Sequence, residues 1–183
     1  MICTGCCVVV SAVSRDVATL NRHLALITRD ESAAVYLYTM QTPLIKCFSN
    51  ALRVGDRQAL KSWFAFLKLF ITALEKLPSI KATIWRGVNY DDTLSFIDND
   101  VHVLWSITSC STNLDVVREY LGESGTLFAI DAVHGKDISS FSANPDEQEV
   151  VLMPGTRVRR RHESMNFIER LFILHLEEVY PQR

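Results

Sequence analysis

Up to residue 78, apolar side chains recur at the three-to-four spacing of one helical face; beyond it they gather in short β-branched and aromatic runs. Val17, Leu20, Leu24 and Ile27 follow Ser14, a capping residue type, and predict a first helix. Residues 31–40, around Ala-Ala-Val-Tyr-Leu-Tyr, predict a second. Thr42-Pro43 reads as an N-cap followed by proline at the first helical position, opening a third helix that stops at Gly55. Asp56 then caps a fourth, which Pro78 ends. Its stripe of Leu60, Phe64, Leu67, Ile71 and Leu74 is widened by Trp63, Phe66 and Phe70. An aromatic stripe at this spacing is core rather than a cofactor box.

After Pro78 the period changes. Residues 81–88, 101–108, 127–133, 150–153, 156–160 and 171–176 are rich in Val, Ile, Phe and Trp and are separated by turn residues, so they predict strands. One helix interrupts them, with Thr112 or Asn113 as cap and Gly122 after its end. Helices first and strands afterwards predict an α+β fold, with N-terminal helices packed against a mainly antiparallel sheet, not a doubly wound one. No repeat or linker divides residues 14–183, so one domain is expected after an uncertain Cys-rich segment, residues 1–13.

Composition narrows the function classes. The 183 residues are 48% hydrophobic and 22% charged, with 19 basic against 21 acidic side chains. A formal charge of −2 leaves no electrostatic footprint for nucleic acid. Arg157, Arg159, Arg160 and Arg161 form a local basic run, but strand alternation would split it between faces, as a solvated edge. No apolar stretch is long enough for a transmembrane helix, and the start lacks the pattern of a secretory signal. Five cysteines, three of them at Cys3, Cys6 and Cys7, argue against a disulfide framework and for a reducing compartment. That leans the expectation towards the cytoplasm, with a secreted form left open. No second Cys or His cluster completes a site with the first three cysteines, and His23, His102, His134, His162 and His175 are scattered, so no metal is expected.

Several binding signatures are absent, including the Gly-rich turns that cradle nucleotide phosphates and the nucleophile elbow of hydrolases. What remains is Glu147-Gln148-Glu149 after an Asn-Pro-Asp turn, preceded by Trp85-Arg86-Gly87 and Ser109-Cys110-Ser111 on two other predicted strands. If Glu147 and Glu149 lie on one strand, alternation puts both carboxylates on one face, where each shifts the other's pKa.

In that order and on those elements, the chain resembles the arginine-specific mono-ADP-ribosyltransferases of the R-S-E class, among them vertebrate ecto-enzymes, bacterial toxins and rotifer enzymes. The likeness extends to Ala34-Val-Tyr-Leu-Tyr38-Thr39, Asn50-Ala-Leu-Arg53, Met153-Pro-Gly-Thr and Ile173-Leu-His-Leu, and so covers residues 32–179. The resemblance implies NAD as co-substrate and an acceptor protein with an exposed arginine; a monomer without a metal is expected. It further implies that Glu149 bonds the nicotinamide ribose, that Ser109 holds Glu149, and that Arg86 and Gly87 bind NAD. It implies too that Glu147 meets the acceptor guanidinium and that Tyr38 flanks the NAD site, with a half-buried core tyrosine as the other reading of Tyr38. Cys110 stands where threonine is common, and residues 89–100 are a short loop for the family. Hydrolysis of NAD by water, or NAD or partner binding without chemistry, are the alternative readings.

Overall fold

The computed structural model describes residues 26–40, 42–54, 57–88, 101–121, 125–168 and 171–179. The helix expected after Ser14, the Cys-rich start, Asp56, residues 89–100 and Gly122 fall outside them. The chain groups into two compact units: one up to Pro78 together with Asp137–Asp146, the other of Ser79–Lys136 and Glu147 onward.

In the helical unit, Thr28 starts α1 (Arg29–Thr39). Its hydroxyl accepts from the Glu31 amide, while the Glu31 carboxylate accepts from the Thr28 amide at 2.7 Å, the reciprocal bonds of a capping box. The helix therefore begins ahead of the expected Glu31. Lys76 brings its ammonium to the same carboxylate at 2.7 Å. Burial alone would raise the Glu31 pKa, but the bonds from Lys76 and Thr28 hold it below the usual value.

Helix α2 (Pro43–Val54) starts at its proline as expected, with the Thr42 hydroxyl accepting from the Ile45 amide at 3.3 Å. The single helix expected from Asp56 to Pro78 is instead two, α3 (Arg57–Lys61) and α4 (Phe64–Lys76). Between them the Trp63 amide donates to the Leu60 carbonyl and the Ser62 hydroxyl to that of Ala59, short-range bonds that tighten the chain. The break also turns the buried stripe. Trp63, Phe66, Phe70, Ala73 and Leu74 are buried, whereas Phe64, expected inside, is 57% exposed. Phe48, Trp63, Phe66 and Phe70 make a connected set of ring contacts, so the aromatic stripe is core.

The second unit is built on a seven-stranded sheet. Its elements are β1 (Ser79–Val88), β2 (Val101–Leu104), β3 (Thr108–Ser111), α5 (Leu114–Leu121), β4 (Thr126–Asp137), β5 (Glu149–Leu152), β6 (Thr156–Ile168) and β7 (Leu171–Glu178). The strand order is β1-β3-β5-β4-β7-β6-β2, with β1 also paired to β4. Strands β4 and β7 run parallel, while β1–β3, β1–β4, β3–β5, β2–β6 and β6–β7 are antiparallel. Ile84, Phe128, Val150, Leu152 and Leu174 belong to one buried cluster; Val117, Leu127, Ala129 and Ile173 form another. Trp85, Leu114 and Leu121 pack on the second, which fixes α5 to the sheet.

The apolar run at 101–108, expected as one strand, is broken. Trp105 is 79% exposed and Ser106 lies in a bend, so the chain leaves one edge of the sheet and enters it elsewhere. Strand β2 pairs with β6, from Val101↔Arg159 to Leu104↔Thr156, and β3 pairs with β5, from Thr108↔Leu152 to Ser111↔Glu149. That break seats the Ser-Cys-Ser element beside Glu149. A second irregularity lies in β4, where the register to β1 slips between Ile80 and Ala82. The amides of Val133 and His134 at this slip donate to the Glu178 carboxylate at 2.7 and 2.9 Å, which satisfies groups the ladder leaves over. The basic run resolves as a charged face, with Arg159 and Arg161 both paired to Glu177 and Arg161 also to Asp131.

Candidate active site

Arg86, half-buried on β1, lies between two buried neighbours of its own face, Ile84 and Val88. Its Nη1 donates to the Ser109 carbonyl at 2.8 Å, close to the single bridge, Trp85↔Ser111, that joins β1 to β3. A guanidinium carries five N–H donors in a fixed fork, so one carbonyl braces the group without using up its capacity.

Glu149 opens β5 and is only 9% exposed. Register sets it opposite Ser111, with Ser109 on the diagonal of the same face. The Ser109 side chain hydrogen-bonds the Glu149 carboxylate. Burial raises the pKa of this carboxyl most; the Ser109 bond lowers it and the negative charge of Glu147 raises it further, leaving it above the usual carboxylate range. Cys110, opposite Val150, faces the other way and sits in the core, as the alternation expects. Burial pushes its thiol up to about 12, so it stays protonated and inert.

The expectation that both glutamates share one strand needs correction. Glu147 ends a 3₁₀ turn, Pro145–Glu147, and only Glu149 is in β5. Between them Gln148 takes φ 46°, the left-handed region that residues other than glycine seldom enter. The chain therefore turns between the carboxylates, and their proximity comes from this turn, not from strand alternation. Gln148 is exposed, and its side-chain carbonyl accepts from the Thr112 hydroxyl at 2.9 Å.

Several bonds hold the turn. The Ser111 hydroxyl donates to the Glu147 carbonyl at 2.6 Å and accepts from the Asn113 amide at 2.8 Å. The Thr112 amide donates to the Gln148 carbonyl at 3.2 Å. Asn113 caps α5 through its side-chain oxygen, which accepts from the Asp115 amide at 3.0 Å. Further along α5, the Tyr120 hydroxyl donates to Glu147 Oε1 at 2.9 Å. Thus one segment, from Ser111 to Tyr120, holds the backbone and the carboxylate of Glu147.

Arg86, Ser109, Glu147 and Glu149 are brought together in the sheet unit. Gly87 adjoins them on β1, where an added methyl would approach Leu121 Cδ1 to 3.0 Å; close packing of α5 is one reason for glycine there. Tyr38 belongs to the helical unit, its ring tilted onto Phe70 with centroids 4.5 Å apart. Ser111 stands in the Ser-Cys-Ser element, but its bond to the Glu147 carbonyl, and the parts of Thr112 and Tyr120, go beyond the sequence expectations. Ser111 was legible in principle, since strand register alone sets it opposite Glu149. Tyr120 had no local signal, because its contact depends on where α5 docks. No group of three or more His, Cys, Asp or Glu side chains suited to a metal occurs among the described residues, and none of the described helices is long and apolar enough to cross a membrane.

Solved structures of known proteins are similar in fold. HopU1 of Pseudomonas syringae pv. Tomato, an ADP-ribosyltransferase, superposes with a TM-score of 0.77 at 21% identity, covering 93% of this chain and 87% of its own. The eukaryotic mono-ADP-ribosyltransferase ART2.2 superposes at 0.73 with 18% identity, over 100% of this chain and 82% of its own. At these identities the likeness speaks for the fold, which is that of the ADP-ribosyltransferases. In sequence, the chain is 31% identical over 141 residues to Mav of Mycobacterium avium (strain 104), provisionally named an NAD(+)–arginine ADP-ribosyltransferase. The match takes in 75% of this chain but only 17% of that much longer relative. The profile of the family described as ART, NAD:arginine ADP-ribosyltransferase, matches residues 20–174, across both units. On that match the chain belongs to the NAD:arginine ADP-ribosyltransferase family.

Proposed function

We propose that this chain transfers ADP-ribose from NAD to the guanidinium of a protein arginine, with release of nicotinamide. The observation that carries the reading is the state of Glu149: a buried carboxylate at a strand start, hydrogen-bonded by Ser109, beside an arginine braced on the Ser109 backbone. Family membership supports the reaction class. A solved neighbour, the ADP-ribosyltransferase Vis in complex with agmatine, supports a guanidinium as acceptor. The family match runs through both units, which supports one catalytic domain over 14–183.

The chemistry follows from charge. In NAD the nicotinamide is a cationic leaving group on the anomeric carbon of ribose. When the glycosidic C–N bond breaks, its electron pair goes to the nicotinamide nitrogen and positive charge spreads over the sugar, as in glycoside hydrolysis. A carboxylate at the ribose binds that charge more strongly than the ground state, which is what lowers a barrier. Glu149 takes this role, accepting from a ribose hydroxyl, with Ser109 holding its rotamer. Burial makes the charged form costly in the resting protein, so a developing cation in the same site relieves that cost. Arg86 supplies a permanent planar donor fork for the pyrophosphate side of NAD, and Gly87 gives close backbone approach.

Glu147 serves the acceptor. An arginine guanidinium is protonated in water and hence a poor nucleophile. As its nitrogen forms the new C–N bond to ribose, the proton it sheds passes to Glu147 and on to solvent. The test is incubation of the protein with labelled NAD and agmatine. The expected product is ADP-ribosyl-agmatine with one nicotinamide released per transfer. Free ADP-ribose without agmatine product would assign the chain to hydrolysis by water, and no NAD turnover to binding alone.

A further inference from the structure

We infer that Tyr120 is a positioning residue for the acceptor step, fixing the Glu147 carboxylate through one oxygen so that the other faces the guanidinium; this rests on the function proposed above. Glu147 stands outside the strand, on a turn beside the left-handed Gln148, where nothing in the sheet ladder controls its side chain. Its backbone carbonyl is held by Ser111, but a glutamate side chain has three rotatable bonds beyond that anchor. The Tyr120 hydroxyl supplies the missing restraint at 2.9 Å from Oε1. A phenolic O–H to a carboxylate is a charge-assisted bond, stronger than a neutral one.

Tyr120 is itself well supported. It lies in the last turn of α5, whose Val117 is buried and whose Leu114 and Leu121 pack on the second core cluster with Trp85. The start of the same helix is tied to the Glu147 carbonyl by way of Asn113 and Ser111. Both ends of α5 therefore act on one glutamate. Tyr120 is 66% exposed, so its bond to Glu147 lies at the surface, where an incoming side chain can reach it. Oε2 is the oxygen a guanidinium would use.

The experiment is the partition of NAD between agmatine and water, measured in one reaction for wild type, Tyr120→Phe, Glu147→Gln and the double variant. Tyr120→Phe keeps the ring and removes only the O–H. We expect it to lower the ratio of ADP-ribosyl-agmatine to free ADP-ribose by about tenfold, the scale of one hydrogen bond to a charged group. In the Glu147→Gln background, adding Tyr120→Phe should change the ratio by less than about twofold, because the two residues act as one unit. A scaffold role would lower both products together and leave the ratio where it is. A wild-type ratio in Tyr120→Phe, with wild type transferring to agmatine, overturns the assignment of Tyr120 alone. A wild type that forms no agmatine product removes the arginine-transfer reading, and the Tyr120 assignment falls with it.

Discussion

The two sides of the glutamate pair are held by different means. Glu149 is fixed by regular structure: it is buried at the head of β5, opposite Ser111, with Ser109 on its carboxylate. Glu147 is fixed by exceptions: a 3₁₀ turn, a left-handed glutamine, and side-chain bonds from Ser111 and Tyr120. The contrast matches the work we assign to each. A group that stabilises charge on a bound sugar gains from a dry, preorganised place, whereas a group that meets an incoming protein side chain must be reachable from solvent. One residue of backbone separates the two environments, and the turn at Gln148 lets a single motif serve both.

The largest effect should come from the buried side. Glu149→Ala removes the carboxylate that meets the developing cation, so both transfer and hydrolysis should fall by ~10²–10³ in kcat. Steady-state rates of nicotinamide release measure this, and a variant that retained hydrolysis would separate Glu149 from bond cleavage. The turn should be the next most sensitive. Gln148→Val places a β-branched side chain in the left-handed region and should cost about 1–2 kcal/mol of stability, while Gln148→Gly fits that backbone freely. Denaturant unfolding of the two variants distinguishes a strained turn from an ordinary one; equal stabilities would remove the strain.

The smallest effect is a pH dependence. The folded-state pKa of Glu149 is raised, chiefly by burial and further by Glu147, so the folded protein keeps this proton to higher pH than the unfolded chain does. Ionisation therefore costs stability, a cost absent below the ordinary carboxylate range and fully present above the raised value. Glu149→Gln removes the charge. Its unfolding midpoint should exceed that of wild type near neutral pH, and the gap should close as pH falls through that window. A gap that stayed constant with pH would mean that Glu149 ionisation carries no such cost.

How much of this was legible in the sequence follows the same division. The helices-then-strands order and the positions of Arg86, Ser109 and Glu149 follow from local period and motif, because strand register turns spacing into proximity. Three things were not legible, each for a tertiary reason. The run at 101–108 looks continuous by its apolar content, yet the chain bends at Trp105 and Ser106 so that each half finds its own partner strand. The α3–α4 break turns the stripe away from Phe64, since the ring contacts around Phe48 outweigh the simple helical period. The placement of Glu147 rests on Gln148, whose φ no residue type announces, and on Tyr120, whose reach depends on how Val117 and Leu121 seat α5.

The central claim is that the two glutamates divide the reaction, one meeting the sugar and one the acceptor. The direct measurement is the fate of labelled NAD in Glu147→Gln, with and without agmatine, beside wild type. We predict that agmatine transfer collapses by ~10²–10⁴, the scale of a lost general base, while release of free ADP-ribose continues. If Glu147→Gln still modified agmatine at the wild-type rate, or lost both products together, the division between the two carboxylates would be contradicted.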